Sequence, residues 1–162
     1  QLGLTYFDRK EQQAIYFNGP AFLYENQIND TWAKGLEFQL STSLGAQFNI
    51  QANYSWTQVS DTAIRIPKHK ANFNLQFSPS EFTQWSLSMA YTGKRVDTDF
   101  STYEQKTLKA FSLIDFQYGF PLGLLNSRGF ISVNNLANVS FEETIGFQTL
   151  GRNIRLGIEL GL

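Results

Sequence analysis

Apolar and polar residues alternate one for one along most of this chain. In "GRNIRLGIELGL", residues 151–162, Ile154, Leu156, Ile158, Leu160 and Leu162 interleave with Asn153, Arg155, Gly157, Glu159 and Gly161. A side-chain period of two marks a β-strand with two unlike faces. The pattern returns in "LEFQLS" (Leu36, Phe38, Leu40), "FNIQANYSW" (Phe48, Ile50, Ala52, Tyr54, Trp56) and "ANFNLQF" (Phe73, Leu75, Phe77). It returns again in "WSLSMAYT" (Trp85, Leu87, Met89, Tyr91), "IDFQYGF" (Ile114, Phe116, Tyr118, Phe120) and, more weakly, "GFISVNN" (Ile131, Val133). A first strand holds Leu2, Leu4 and Tyr6 and is expected to run on toward "AIYF" at 14–17. Eight strands are predicted and no helix, because apolar spacing of three and four is never sustained.

The connections alternate in length. Short ones, "TSLGAQ", "SPSEFTQ" and "PLGLLNSRG", follow the second, fourth and sixth strands, and longer polar ones cover 18–30, 57–70, 93–107 and 138–150. Pro20, Pro67, Pro79 and Pro121 are all read as lying in connections, where a hydrogen-bonded sheet tolerates them. The expected fold class is all-β: an antiparallel up-and-down meander with short turns at one end and long loops at the other, the layout of a transmembrane β-barrel.

Periodicity does not say which solvent wets which face. A soluble sandwich or lipocalin-like barrel turns the apolar set inward, whereas a membrane barrel turns it out to lipid and lines its interior with the polar set. Three features favour the membrane order. Apart from Glu37, Asp115, Arg155 and Glu159 the polar set is Asn, Gln, Ser, Thr and Gly, where a soluble surface carries more charge. Aromatics cluster near both strand ends, with Phe48, Phe77, Trp85 and Phe120 toward the short turns and Trp32, Tyr54, Trp56 and Tyr91 toward the long loops, as two interfacial girdles require. The middles of the apolar stripes carry no charge, and Lys or Arg there would cost roughly 2–4 kcal/mol in lipid. Lys34, in the phase of Leu36, sits at the loop end where it can snorkel. On this reading Arg155 and Glu159 are neighbours able to pair across the lumen wall, and the apolar end at Leu162 resembles a barrel-assembly signal, with Leu where that signal usually has Phe.

Composition removes several function classes. The 162 residues include 13 basic and 14 acidic ones, so nothing points to nucleic acid. Without cysteine there is neither a disulfide frame nor a thiolate metal site. No apolar run reaches the length of about 18 residues that a membrane-spanning helix needs. Aromatics make up 15% of the chain although the mean hydropathy is −0.27. Strand-like sequence begins at Gln1, which suggests a fragment or a processed piece.

Catalytic chemistry finds no constellation, and the expectation is a protein that is not an enzyme and carries no cofactor. His69, the one histidine, has no companion for metal ligation and is read as a rim residue. Asp97 and Asp99, like Glu142 and Glu143, are read as solvated loop charges. Binding is better supported, where loops and inner wall meet. Aromatic candidates are Tyr24, Trp32, Trp56, Phe100, Tyr103 and Phe147, and polar ones Arg65, Lys94, Arg95 and Arg152; the set expected to contact ligand is Trp32, Arg65, Arg95, Tyr103 and Arg152, with no metal site.

Five segments in order resemble the C-terminal half of the barrel in TonB-dependent outer-membrane transporters: "AKGLEFQL", "IPKHKANFNLQF", "YTGKRVD", "VNNLANVSF" and "GRNIRLGIELGL". In the fourth, Asn135, Leu136, Asn138 and Phe141 keep register and Ala137 stands where the family carries an aromatic. The resemblance implies that residues 1–162 are the last eight strands of a barrel of about 22, with the plug domain outside this chain. It implies TonB-dependent uptake of a scarce, bulky nutrient such as a siderophore, haem, cobalamin or glycan in the bacterial outer membrane. The implied partners are the remaining strands and plug, lipid and lipopolysaccharide, TonB acting through the plug, and the transported ligand. Two other readings stay open: a self-contained eight-stranded outer-membrane barrel with a structural or adhesive role, and a soluble lipocalin-like carrier.

Overall fold

The computed structural model describes residues 1–60, 63–123 and 127–160. The alternation of apolar and polar residues translates into strands: β1 (Leu2–Glu11), β2 (Ile15–Asn18), β3 (Leu23–Asn26), β4 (Thr31–Leu44), β5 (Phe48–Val59), β6 (His69–Ser80), β7 (Thr83–Thr92), β8 (Arg95–Asp99), β9 (Glu104–Leu108), β10 (Phe111–Pro121), β11 (Ser127–Asn134), β12 (Glu142–Thr144), β13 (Phe147–Gln148) and β14 (Asn153–Leu160). No helix occurs among the described residues. Eight strands form one antiparallel meander in the order β1-β4-β5-β6-β7-β10-β11-β14, and the other six pair into three separate hairpins, β2–β3, β8–β9 and β12–β13.

Register keeps the two faces apart across the whole sheet. One row sets Ile50, Leu75, Leu87, Phe116, Val133 and Ile154 side by side. The next positions on the opposite face bring Gln51, Asn74, Ser88 and Asp115 together. A slip of one residue in any pair would exchange the faces. Amides on the polar face satisfy one another, as in Asn72 Nδ2 donating to Asn53 Oδ1 at 2.9 Å.

Among the described residues none packs over the apolar face of the sheet. Among the described residues the buried hydrophobics are Ala33, Leu108 and Phe111, while Leu4 and Leu156 are each 74% exposed. Leu87 and Phe116 are neighbours in one face rather than halves of a closed centre, which removes the basis for a lipocalin-like core. The sheet is also open: β1 and β14 are its edges, each paired on one side. It is therefore not the closed eight-stranded barrel of the second alternative.

Aromatic rings gather at both ends of the apolar face. At the short-turn end Phe48 stacks on Phe77 with centroids 4.4 Å apart and Trp85 lies 4.3 Å from Tyr118. At the loop end the Tyr54 hydroxyl and His69 Nδ1 share a hydrogen bond of 2.7 Å, which makes His69 part of the rim. Lys34 sits over Trp32, its Nζ 5.5 Å from the ring.

Four expectations need correction. "AIYF" does not continue β1 but opens the β2–β3 hairpin, because "EQQA" interrupts the alternation and Gln13 turns with φ of 53°. Three of the long connections contain hairpins rather than plain loop. Pro79 and Pro121 lie in strands, Pro79 where the β6–β7 register shifts between Phe77 and Ser80 and Pro121 as the last residue of β10; both are places where a ladder donor is dispensable. Glu159 pairs not with Arg155 but across strands with Arg128, Nε to Oε2 at 2.6 Å, since direct cross-strand partners stand closer than positions four apart on one strand. The assembly signal at Leu162, and parts of the 57–70 loop and the "PLGLLNSRG" turn, lie outside the described residues.

Candidate functional site

The four long connections, here loops A (12–30), B (60–68), C (93–110) and D (135–152), lie at one end of the sheet, and loop C holds them together. Its centre is Asp97, which is 0% exposed. Asp97 Oδ1 accepts from Arg65 Nε of loop B at 2.7 Å and from the Thr98 amide at 2.9 Å, and Oδ2 accepts from the Ile145 amide of loop D at 3.0 Å. Burial pushes this carboxyl up, but the Ile145 amide, the Arg65 guanidinium and the Thr98 amide outweigh it and hold it below the ordinary carboxylate value. The expectation that Asp97 is a solvated loop charge is thus overturned. Its partner Arg65 lies 32 residues away in sequence, and only folding reveals the pair. Asp99 stays nearer the surface, held well below the ordinary value by Lys106 and by the Ser101 hydroxyl and amide.

Two expected cations are already committed to this cluster. Arg65 pairs with Asp97, lies over the Phe100 ring at 5.6 Å and adopts φ of 62° while its amide donates to the Val96 carbonyl. Arg95, 6% exposed, donates Nη2 to the Glu142 and Glu143 carbonyls at 2.8 and 3.2 Å and lies over Phe111 at 5.3 Å.

Loops A, B and C together border an open cleft of about 680 Å³. Its walls are Ile15, Tyr16, Phe17 and Ile28 of loop A, Ile64 of loop B, and Phe100 and Tyr103 of loop C. Tyr103 turns with φ of 58° and lays its ring on Gly19, where an added Cβ would run into it. The structure therefore brings Arg65 and Tyr103 to one neighbourhood through Phe100. Trp32 stands apart, in the phase of Leu36 on the apolar face. Arg152 lies in loop D, its amide donating to Asn138 Oδ1 at 2.8 Å. Sequence reading passed over Phe17, Gln27, Ile28 and Ile64, which carry no motif; the one available signal was the run of large apolar residues in a connection expected to be polar.

Residues 1–136 match the family described as TonB dependent receptor-like, beta-barrel. The chain belongs to the TonB-dependent receptor β-barrel family. It is 27% identical over 163 residues to the vitamin B12 transporter BtuB of Vibrio cholerae serotype O1, a match covering 96% of this chain and 26% of that protein. Its fold is similar to that of P. aeruginosa FpvA bound to a heterologous pyoverdine, with a TM-score of 0.79, 16% identity and coverage of 97% of this chain and 24% of FpvA. It is also similar to the siderophore receptor PiuA from Acinetobacter baumannii, with a TM-score of 0.77, 16% identity and coverage of 97% and 26%. The chain spans about a quarter of the length of the relatives it matches.

The segments that resemble this TonB-dependent receptor family act here as joints of the wall. Gly93 of "YTGKRVD" donates its amide to the His69 carbonyl of "IPKHK" at 2.8 Å, and a Cβ there would stand 2.9 Å from that oxygen. In "VNNLANVSF", Asn135 takes φ of 52°, its amide donates to Asp115 Oδ1 at 2.7 Å, and its side-chain amide exchanges two 2.8 Å hydrogen bonds with the Val139 backbone. Asn138 then ties this turn to the Gly151–Arg152 entry into β14. Gly35 of "AKGLEFQL" sits beneath the Phe7 ring, leaving no room for a side chain.

Proposed function

We propose that this chain is a wall segment of a TonB-dependent transporter in the bacterial outer membrane, and that the whole protein takes up a scarce, bulky nutrient of the siderophore, haem, cobalamin or glycan kind. Residues 1–162 are, on this reading, the last eight strands of a barrel of about 22, with the plug in another part of the protein. The observation that carries it is the unbroken apolar row from Ile50 to Ile154 on a sheet with two open edges. Neither feature is tolerable in water, and open edges are not tolerable in hydrocarbon either unless further strands pair with them. Lipid and lipopolysaccharide then cover the outside, and the amide-lined face turns to the plug, through which TonB would act.

Loops A to D would face the exterior and receive ligand, so the protein's activity is transport rather than catalysis. Tyr103 is the strongest ligand contact of the five candidates, because it lines the cleft. Arg65 and Arg95 serve by fixing the loops, Trp32 anchors the wall at the interface, and Arg152 contributes from loop D.

The test is fractionation and uptake with the complete gene. The protein should sediment with outer membranes, require detergent, and migrate faster on gels before boiling than after. A deletion strain should lose TonB-dependent accumulation of one labelled nutrient among ferric siderophores, haem, cobalamin and oligosaccharides. Recovery of a monodisperse, detergent-free protein would overturn the membrane reading, and unchanged accumulation of every nutrient in the deletion strain would overturn the transport reading.

A further inference from the structure

We infer that the cleft between loops A and C receives an uncharged, apolar portion of the ligand and not an anionic chelate, an inference that rests on the transporter reading. The cleft's volume, about 680 Å³, falls within the roughly 300–1,000 Å³ of small-molecule sites. Among the described residues its lining contains no Lys, Arg, His, Asp or Glu. Arg65, whose Cζ lies 5.6 Å from the centre of the Phe100 ring, is engaged by Asp97. An anion entering this cleft would give up water without gaining a countercharge.

The cleft offers apolar surface and the polar side chains of Gln27, Asn29, Thr98 and Gln105, one of which holds an unpartnered acceptor. Phe17, Ile28, Ile64, Phe100 and Tyr103 line it, and Ile28 is 99% exposed, an aliphatic side chain that packing does not explain. Gln27 also lines it, and its side-chain carbonyl is buried with no hydrogen-bond partner among the described residues. A buried acceptor without a partner is costly and is relieved when a donor arrives. The ligand class that fits is a neutral molecule, or neutral portion of one, with a flat or branched apolar body and one N–H or O–H directed at Gln27.

The test uses the complete protein in lipid nanodiscs with two fluorescent probes of the same ring system. N-phenyl-1-naphthylamine is uncharged and carries one N–H; 1-anilinonaphthalene-8-sulfonate adds an anion. Against empty discs, the neutral probe should give a saturable signal and the sulfonate should bind about tenfold more weakly or worse. Ile28→Asp, at a position too exposed to affect folding, should weaken the neutral probe by about tenfold, and Ile28→Lys should shift preference toward the sulfonate. Equal binding of both probes, a neutral-probe signal no greater than that of empty discs, or titrations unmoved by Ile28→Asp would overturn the inference. Failure of the underlying transporter reading would show separately, as a protein missing from outer-membrane fractions before any probe is added.

Discussion

Single residues matter here chiefly through the partners that folding gives them. Asp97 is buried but its partner Arg65 is half-exposed, so solvent screening limits their ion pair to about 1 kcal/mol. Asp97→Asn keeps an acceptor but removes the charge. It should speed amide hydrogen exchange about tenfold in 95–99 and 142–148, leaving β5, β6 and β7 unchanged; equal exchange in both proteins would refute the role of Asp97 as the loop joint. The pH dependence follows from the direction of the shift. The folded carboxyl lies below its unfolded value of about 4. Its contribution is therefore complete above that pH and is lost as pH falls through the lowered folded value. Loop protection in the native protein should hold level from pH 7 to about 4 and decline below, while the Asn variant shows no such decline.

Strands are where the chain was most readable. Alternation alone placed all eight long strands, because a face wetted by one solvent along its full length forces a strict period of two. The hairpins were not readable: β12 and β13 have 3 and 2 residues, too few to display any period, and β2 carries Ile15, Tyr16 and Phe17 in succession, with no alternation to find. Nor was the cleft, since its walls come from loops A, B and C, and Asp97 looked like any loop acid until Arg65 reached it. The legible part yields a sharp contrast. Leu87→Arg, in the middle of the apolar row between Leu75 and Phe116, should cost about 2–4 kcal/mol and reduce the heat-modifiable, folded fraction in membranes. Ser88→Arg, one residue on and facing the amides, should be tolerated. Similar losses for both would mean that the two faces meet the same solvent. Gly35→Ala tests the joints in the same way: its new methyl would meet the Trp56 carbonyl and the Phe7 ring, and overpacking of that kind costs about 1–3 kcal/mol, read as a lower temperature for loss of the compact band on gels.

At the scale of the whole molecule the decisive feature is what the sheet leaves unpaired. β1 offers the edge from Leu2 to Glu11 and β14 the edge from Asn153 to Leu160, each a row of backbone donors and acceptors. Bending these two edges together would make an eight-stranded barrel, whose interior is just wide enough for side chains to fill. The inner face here offers Gly3, Thr5, Ser88 and Asn74, with aromatics such as Phe7 and Phe130 lying flat over Gly35 and Gly157 rather than reaching across. On the transporter reading, a wall of this kind belongs to a wide barrel whose interior another part of the protein fills. Residues 1–162 produced alone should therefore insert poorly and associate through their edges, and cross-linking between cysteines placed at Thr5 and Arg155 should join different copies of the chain. Supplying the remaining strands of the complete protein as a second polypeptide should suppress that association and restore a compact, heat-modifiable species. Efficient insertion of the isolated chain as a monomer, with Thr5 and Arg155 cross-linked within one copy, would mean that the sheet closes on itself and that the wide barrel is wrong.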